Sequence, residues 1–190
     1  MSDKSERRKR IRREKRRQRR KERSFKRTVR TIFGWLLSVL IAVVLGYGMV
    51  SYCFQTVYVV GDSMYPVCTD QQKVTVNKLC YLLGSPDRYD VVAYRSVDTP
   101  DAYYNIKRVI GLPGETVQIK DGKVYIDGSE RTDLPFDDYI FTAGLAESEV
   151  RLGDDEYFLL GDNVNNSEDS RFLKVGNVKK AEILGRIKKR

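Results

Sequence analysis

The sequence contains no histidine. Hydrolases of the Ser-His-Asp and Cys-His kinds are therefore excluded, since each needs an imidazole to take the nucleophile's proton. A zinc site is equally disfavoured, because Cys53, Cys68 and Cys80 follow no zinc-ligand spacing and have no histidine to join them. No metal and no cofactor are expected. Three cysteines cannot all pair. Cys53 reads as a small apolar residue, and Cys68 with Cys80 can form a disulfide only where the compartment is oxidising, a pairing the sequence leaves open. Charge is missing too: no charged residue stands between Arg30 and Asp62. Apolar residues are in turn almost absent before Phe25, and no internal repeat is visible.

The net charge of +9 is unevenly placed. Residues 1–30 hold 17 Lys and Arg against 4 Asp and Glu, whereas the remaining 160 residues hold 18 against 22. Residues 1–30 are thus a basic tail with too little apolar surface to offset the entropy of ordering, expected to be disordered or fractionally helical. The uncharged run over residues 31–54 exceeds the ~20 residues that cross a bilayer as a helix. Trp35 lies near one of its ends, and Tyr47 and Tyr52 near the other, as interfacial belts require. It is too long for a cleaved signal peptide's apolar core, and no small-x-small site closes it. A domain of this size also has little room to bury a helix that is apolar all round. The reading is a single-pass anchor in the cell membrane. The positive-inside rule puts the N-terminus in the cytoplasm and residues 55–190 outside. The basic tail next to that anchor favours contact with anionic lipids over nucleic acid, which is not an expected partner.

Residues 55–190 read as strands punctuated by turns. Gln55–Val60, Asp90–Arg95, Tyr103–Ile110 and Glu156–Leu160 are β-branched or aromatic, and Lys73–Lys78 alternates polar with apolar. Thr116–Lys120 and Lys123–Asp127 flank Asp121-Gly122, a two-residue hairpin signal in which both positions require positive φ. Ala181–Ile187 supplies a last strand. Residues 128–155 carry few strand signals and are expected to be loop or irregular insertion, with 144–151 ambiguous. No long helical period occurs beyond the anchor, so the domain is expected to be mainly β.

Without histidine, a serine can still be activated by a neutral lysine. Two segments offer such a pair: Gly61-Asp62-Ser63-Met64-Tyr65-Pro66 and Tyr104-Asn105-Ile106-Lys107-Arg108-Val109-Ile110-Gly111-Leu112-Pro113-Gly114-Glu115. Pro66 fixes its own φ and restricts Tyr65, stiffening the loop that holds Ser63. An exposed lysine, with a pKa near ~10.4, is a poor base at neutral pH. Desolvation lowers that value. Ile106, Val109 and Ile110 offer apolar surroundings, although on an alternating strand Ile106 faces away from Lys107 and part of the shielding must come from other strands.

Together with Gly161-Asp162-Asn163-Val164-Asn165-Asn166-Ser167-Glu168-Asp169-Ser170-Arg171, these segments resemble the type I signal peptidases of bacteria, from the apolar run almost to the C-terminus. The resemblance implies an all-β catalytic domain after one transmembrane helix, with Ser63 as nucleophile and Lys107 as general base. It further implies that Ser167 hydrogen-bonds and orients the lysine. Asp169 and Arg171 would form a structural ion pair near the site, with Arg108 and Asp162 serving similarly, and Met64 would line the substrate groove. The implied substrates are secretory preproteins with small residues at −1 and −3, cleaved through an acyl-enzyme. Three positions depart from the family pattern. Val164 replaces a usual arginine, Val67-Cys68 replaces Thr-Leu, and Gly61 stands where some members carry a serine that helps hold the oxyanion. The alternative reading is a catalytically silent membrane-anchored binding or scaffold protein of the same fold.

Overall fold

The computed structural model describes residues 30–95, 104–136 and 139–187. The basic tail, apart from Arg30, lies outside the described residues. The chain divides into two compact units between Val50 and Ser51. The first contains most of helix α1 (Arg30–Cys53), which is long and apolar enough to cross a membrane and buries none of its apolar window within the protein. The helix ends one residue earlier than the apolar run, because Phe54 already belongs to a strand.

The second unit is built from strands β1 (Phe54–Tyr58) and β2 (Lys73–Asn77), a short helix α2 (Leu79–Leu83), then β3 (Val91–Tyr94), β4 (Asn105–Gly111), β5 (Thr116–Lys120) and β6 (Lys123–Ile126). It continues through β7 (Ser129–Glu130), β8 (Val150–Arg151), β9 (Glu156–Leu160), β10 (Val178–Lys179) and β11 (Ile183–Ile187). Seven strands form one antiparallel sheet in the order β1-β2-β11-β3-β4-β9-β10, and four form a second in the order β7-β6-β5-β8. The mainly β expectation is met.

Alternation decides most of these strands. In β2, Val74 and Val76 are buried while Lys73 and Thr75 are exposed. The Asp121-Gly122 turn between β5 and β6 has φ values of 51° and 72°, as the hairpin requires. β4 behaves differently: its residues from Ile106 to Gly111 are all buried, so both faces are covered. One face of β4 carries Ile106 and Ile110. Ile106 joins a core with Val57, Val59, Val74, Val76 and Ala93. Ile110 joins Val117, Ile119, Val124, Phe158 and Leu160. The other face carries Val109, which packs with Val92, Tyr94, Tyr157 and Leu159. β4 is thus the strand around which three cores meet, and it is also the strand that carries Lys107.

The stretch 128–155, expected as loop, contributes the two-residue strands β7 and β8 and a 3₁₀ turn over Gly144–Glu147. Two-residue strands are too short for a period to show. They exist because β6 and β5 present unpaired edges, with Tyr125 opposite Glu130 and Thr116 opposite Arg151. The same reason hides β10, which adds to β9 through Val178 and Tyr157.

Candidate active site

The Ser63 segment is the loop between β1 and β2, closed by backbone hydrogen bonds at its base. Val59 N–H donates to Gln72 O at 2.9 Å, and Gln71 N–H returns one to Val59 O at 3.0 Å. Within the loop, Gly61 N–H donates to Asp70 Oδ1 at 2.7 Å, which holds the Asp70 carboxyl below the usual carboxylate range. Tyr65 N–H donates to Asp62 O at 3.1 Å, closing a tight turn that contains Ser63, and Cys68 N–H donates to Met64 O at 2.8 Å in the turn that follows. The Tyr65-Pro66 peptide bond is cis. Gly61 adopts φ 79°, a left-handed conformation that a serine there would occupy only under strain.

Lys107 comes from the middle of β4, 44 residues away in sequence, and its Nζ donates to Ser63 Oγ at 2.7 Å. Only 5 % of Lys107 is exposed. Register explains why: Val92 of β3 lies directly opposite, so Lys107 shares its face with Val92, Tyr94 and Val109. Ile106 points to the opposite face, as alternation requires, and the shielding comes from neighbouring strands. Burial lowers the lysine pKa to about 8. Asp169 and Glu168 push it back upward, Arg171 lowers it and Asp162 raises it, but desolvation is the largest influence.

The third segment packs beneath the Ser63 loop. Asn163 clamps that loop, its backbone N–H donating to Ser63 O at 3.0 Å and its Nδ2 to Asp62 O at 3.1 Å. This clamp was not among the residues singled out from the sequence, although Asn163 lies inside the quoted segment. Gly161 shows how close the approach is: a Cβ there would lie 2.3 Å from Ser167 Oγ and 2.5 Å from Ser63 O. Arg108 opposes Leu160 and Val109 opposes Leu159, so extending the register by one residue sets Gly161 beside Lys107.

Two buried ion pairs brace this arrangement. Arg108 grips Asp162 with two hydrogen bonds, Nε to Oδ1 at 2.6 Å and Nη2 to Oδ2 at 2.5 Å, and Arg108 Nη1 donates to Tyr89 O at 2.8 Å. Arg171 grips Asp169 in the same way, at 2.8 and 2.9 Å, while its Nη1 donates to Thr142 O and its Nη2 to Val164 O. Asp169 also accepts Gly161 N–H at 3.1 Å, tying the pair to the backbone beside Lys107. Fork-shaped pairing of this kind fixes position as well as charge.

Ser167 differs from expectation. Its Oγ is buried and has no hydrogen-bond partner among the described residues, so the expected bond to Lys107 is not formed. Met64 differs too. It is 1 % exposed and packed among Val57, Val59 and Val74, so its side chain fills the core and presents no groove wall. Of the departures from the family pattern, Val164 is a core residue packed with Ile110, Phe158 and Leu160, and Cys68 lies in the core that holds Met64. Both substitutions are absorbed by burial. No disulfide joins Cys53, Cys68 and Cys80, and Cys80 Sγ donates instead to Asn77 O at 3.0 Å.

A hydroxyl and an amine at hydrogen-bonding distance, with the amine desolvated, can exchange a proton near neutral pH. That is the requirement for an activated serine nucleophile. The family model described as signal peptidase, peptidase S26, matches residues 32–190. Signal peptidase I S of Bacillus subtilis is 34 % identical over 159 residues, covering 75 % of this chain and 79 % of that protein. Signal peptidase I P of Bacillus subtilis subsp. natto is 30 % identical over 169 residues, covering 84 % of this chain and 89 % of its own length. Among solved structures, a signal peptidase I from Enterococcus faecalis V583 aligns at 30 % identity with a TM-score of 0.43, covering 54 % of this chain and 97 % of that one. With a family match over most of its length, this chain belongs to the signal peptidase family, peptidase S26, and is a serine peptidase.

Proposed function

We propose that this protein cleaves signal peptides from exported preproteins, with Ser63 as nucleophile and Lys107 as general base. The observation that carries the assignment is the 2.7 Å separation of Lys107 Nζ and Ser63 Oγ with the lysine almost wholly buried. In the reactive form Lys107 is neutral, and Ser63 O–H turns its proton toward the Nζ lone pair. Ser63 Oγ attacks the scissile carbonyl as that proton moves to Nζ, and the carbonyl oxygen takes the electron pair. Collapse of the tetrahedral intermediate breaks the C–N bond, and Lys107 gives its proton to the leaving amine. Water, deprotonated in turn by Lys107, then releases the acyl group from Ser63. With glycine at position 61, backbone N–H groups, that of Ser63 first, serve as oxyanion donors.

Substrate enters as an extended segment. β1 is an edge strand of the large sheet and runs directly into the Ser63 loop, so an added strand there is led to the nucleophile. In an extended segment, residues −1 and −3 project to the same side, which suits a preference for small side chains at both. Helix α1 anchors the chain in the cell membrane, with the basic N-terminus cytoplasmic beside anionic lipids and the peptidase unit outside. The anchor holds Ser63 near membrane-tethered substrates and reduces the search to two dimensions.

The test is cleavage of a preprotein bearing an Ala-x-Ala site in liposomes, with the cut position read by mass spectrometry. Wild type should cut after the −1 residue, and Ser63→Ala and Lys107→Ala should fold without cutting. Folded wild type that leaves several such preproteins intact would overturn the reading in favour of a silent binding protein.

A further inference from the structure

The carbonyls of Asp62 and Ser63 are both held from outside their own turn. Asp62 O accepts two hydrogen bonds, from Tyr65 N–H at 3.1 Å and from Asn163 Nδ2 at 3.1 Å. Ser63 O accepts Asn163 N–H at 3.0 Å. Ser63 N–H, by contrast, donates to no group among the described residues. Asp62 O and Ser63 N–H are the two ends of one peptide unit. That unit is trans and planar, so its N–H points opposite to its C=O. Whatever fixes the Asp62 carbonyl therefore aims the Ser63 N–H.

Asn163 is itself firmly based. It opens the 3₁₀ turn Val164–Asn166, and Asn166 N–H donates to its carbonyl at 2.9 Å. Val164 is buried with Ile110 and Phe158, and its carbonyl accepts Arg171 Nη2. Asn165 ties the turn to the chain at 139–141: its Nδ2 donates to Tyr139 O at 2.8 Å, and its Oδ1 accepts Phe141 N–H at 3.0 Å. A turn closed by Tyr65 N–H alone would let the Asp62–Ser63 plane rock about that one contact. The Asn163 amide, acting from a fixed base, removes this freedom.

We infer that Asn163 is a positioning residue for the reaction, its side-chain amide holding the Asp62–Ser63 peptide unit so that Ser63 N–H is aimed at the oxyanion. The inference rests on the Ser63–Lys107 assignment above. Asn163 touches neither substrate nor the reacting atoms; it acts through the peptide unit. The grip also strengthens the donor, since hydrogen bonds linked in a chain polarise one another. When Ser63 Oγ attacks, the substrate carbonyl oxygen takes the electron pair and becomes the acceptor at the end of that chain. The benefit grows with the negative charge, so it falls on the transition state more than on bound substrate. With glycine at position 61 supplying no hydroxyl, the aim of this one N–H matters more.

The test uses the full-length protein in liposomes, with an Ala-x-Ala preprotein as substrate and two matched peptides as ligands. One peptide ends at the −1 alanine as an aldehyde: Ser63 Oγ adds to it, the Ser63 proton passes to Lys107, and the aldehyde oxygen becomes the oxyanion. The other ends as the primary alcohol, which has no carbonyl to attack. Asn163→Ala removes the grip on Asp62 O and leaves the backbone bond to Ser63 O. Asn163→Asp sets an acceptor where the donor was. Losing a whole oxyanion donor costs about 10²–10³-fold in kcat. With Tyr65 N–H still in place, kcat should fall about tenfold in Asn163→Ala and further in Asn163→Asp. KM should not move. Affinity for the aldehyde should fall by the same factor as kcat, while affinity for the alcohol and the apparent pKa of the pH–rate profile stay as in wild type. The inference is overturned if both variants keep kcat within twofold of wild type or if aldehyde and alcohol lose affinity alike. It is equally overturned if neither variant keeps a cooperative thermal transition, since Asn163 would then serve stability alone. Cleavage by Ser63→Ala or Lys107→Ala, run beside them, would instead overturn the assignment itself, which keeps the two failures apart.

Discussion

Burial penalises the ammonium form of Lys107, and the penalty reaches both rate and stability through the same proton. For the rate, kcat/KM should rise with pH and level off with an apparent pKa near 8, well below the ordinary lysine value of 10.5. A pH–rate profile from pH 5 to 11 measures this directly, and a rate that is flat across that range removes lysine as the base. For stability, the folded-state pKa of about 8 lies below the unfolded value of 10.5, so between them the unfolded chain holds the extra proton and stability climbs with pH. Below about 8 both states are protonated and the full penalty remains. Lys107→Met should accordingly stabilise the fold at pH 6.5, by roughly 1–3 kcal/mol, with the gain shrinking toward pH 10. Urea unfolding at the two pH values reads the difference. At this scale the sequence was informative about identity and poor about surroundings. Lys107 and Ser63 stand in legible motifs, whereas the shielding of Lys107 by Val92 and the core role of Met64 depend on which strands become neighbours.

The elements hold the site by joining segments far apart in the chain. Gly161 follows β9 directly and has no room for a side chain, since a Cβ would overlap Ser167 Oγ and Ser63 O. Gly161→Ala should displace the Ser63 loop or the Ser167 turn and lower kcat about a hundredfold, the usual effect of a misplacement near 1 Å. Its melting temperature should fall far less than proportionately, because the clash is confined to two loops. The Arg108–Asp162 pair predicts the opposite balance. Asp162→Asn leaves a buried guanidinium without its counter-charge and should cost about 3–5 kcal/mol in stability, read by chemical denaturation. β2, β5, β6 and β9 were legible because apolar spacing, β-branched content or turn chemistry marks them. β7, β8 and β10 were not, because a two-residue strand is defined by the edge it completes. The buried pairs lie between these cases: Asp169 and Arg171 sit two residues apart in one motif, but nothing local ties Arg108 to Asp162 across 54 residues.

The whole molecule divides between Val50 and Ser51, and on the proposed anchoring the two parts owe their stability to different solvents. α1 buries none of its apolar window among the described residues, and a lipid bilayer suits its length and composition. The unit from Ser51 onward has three apolar clusters built entirely from its own strands and loops. It therefore contains what it needs to fold without the helix. Chain residues 51–190 alone should give a cooperative thermal transition in a mild detergent, because Tyr52 and Phe54 remain exposed at its start. Cleavage of a short soluble peptide by that fragment should stay within a few-fold of the full chain, since Ser63, Lys107 and the ion pairs are all retained. Cleavage of a preprotein held in liposomes should drop much further, because the fragment must find its substrate from bulk solution. Equal losses on both substrates would mean that α1 supports the site itself, and the separation of anchoring from chemistry would fail.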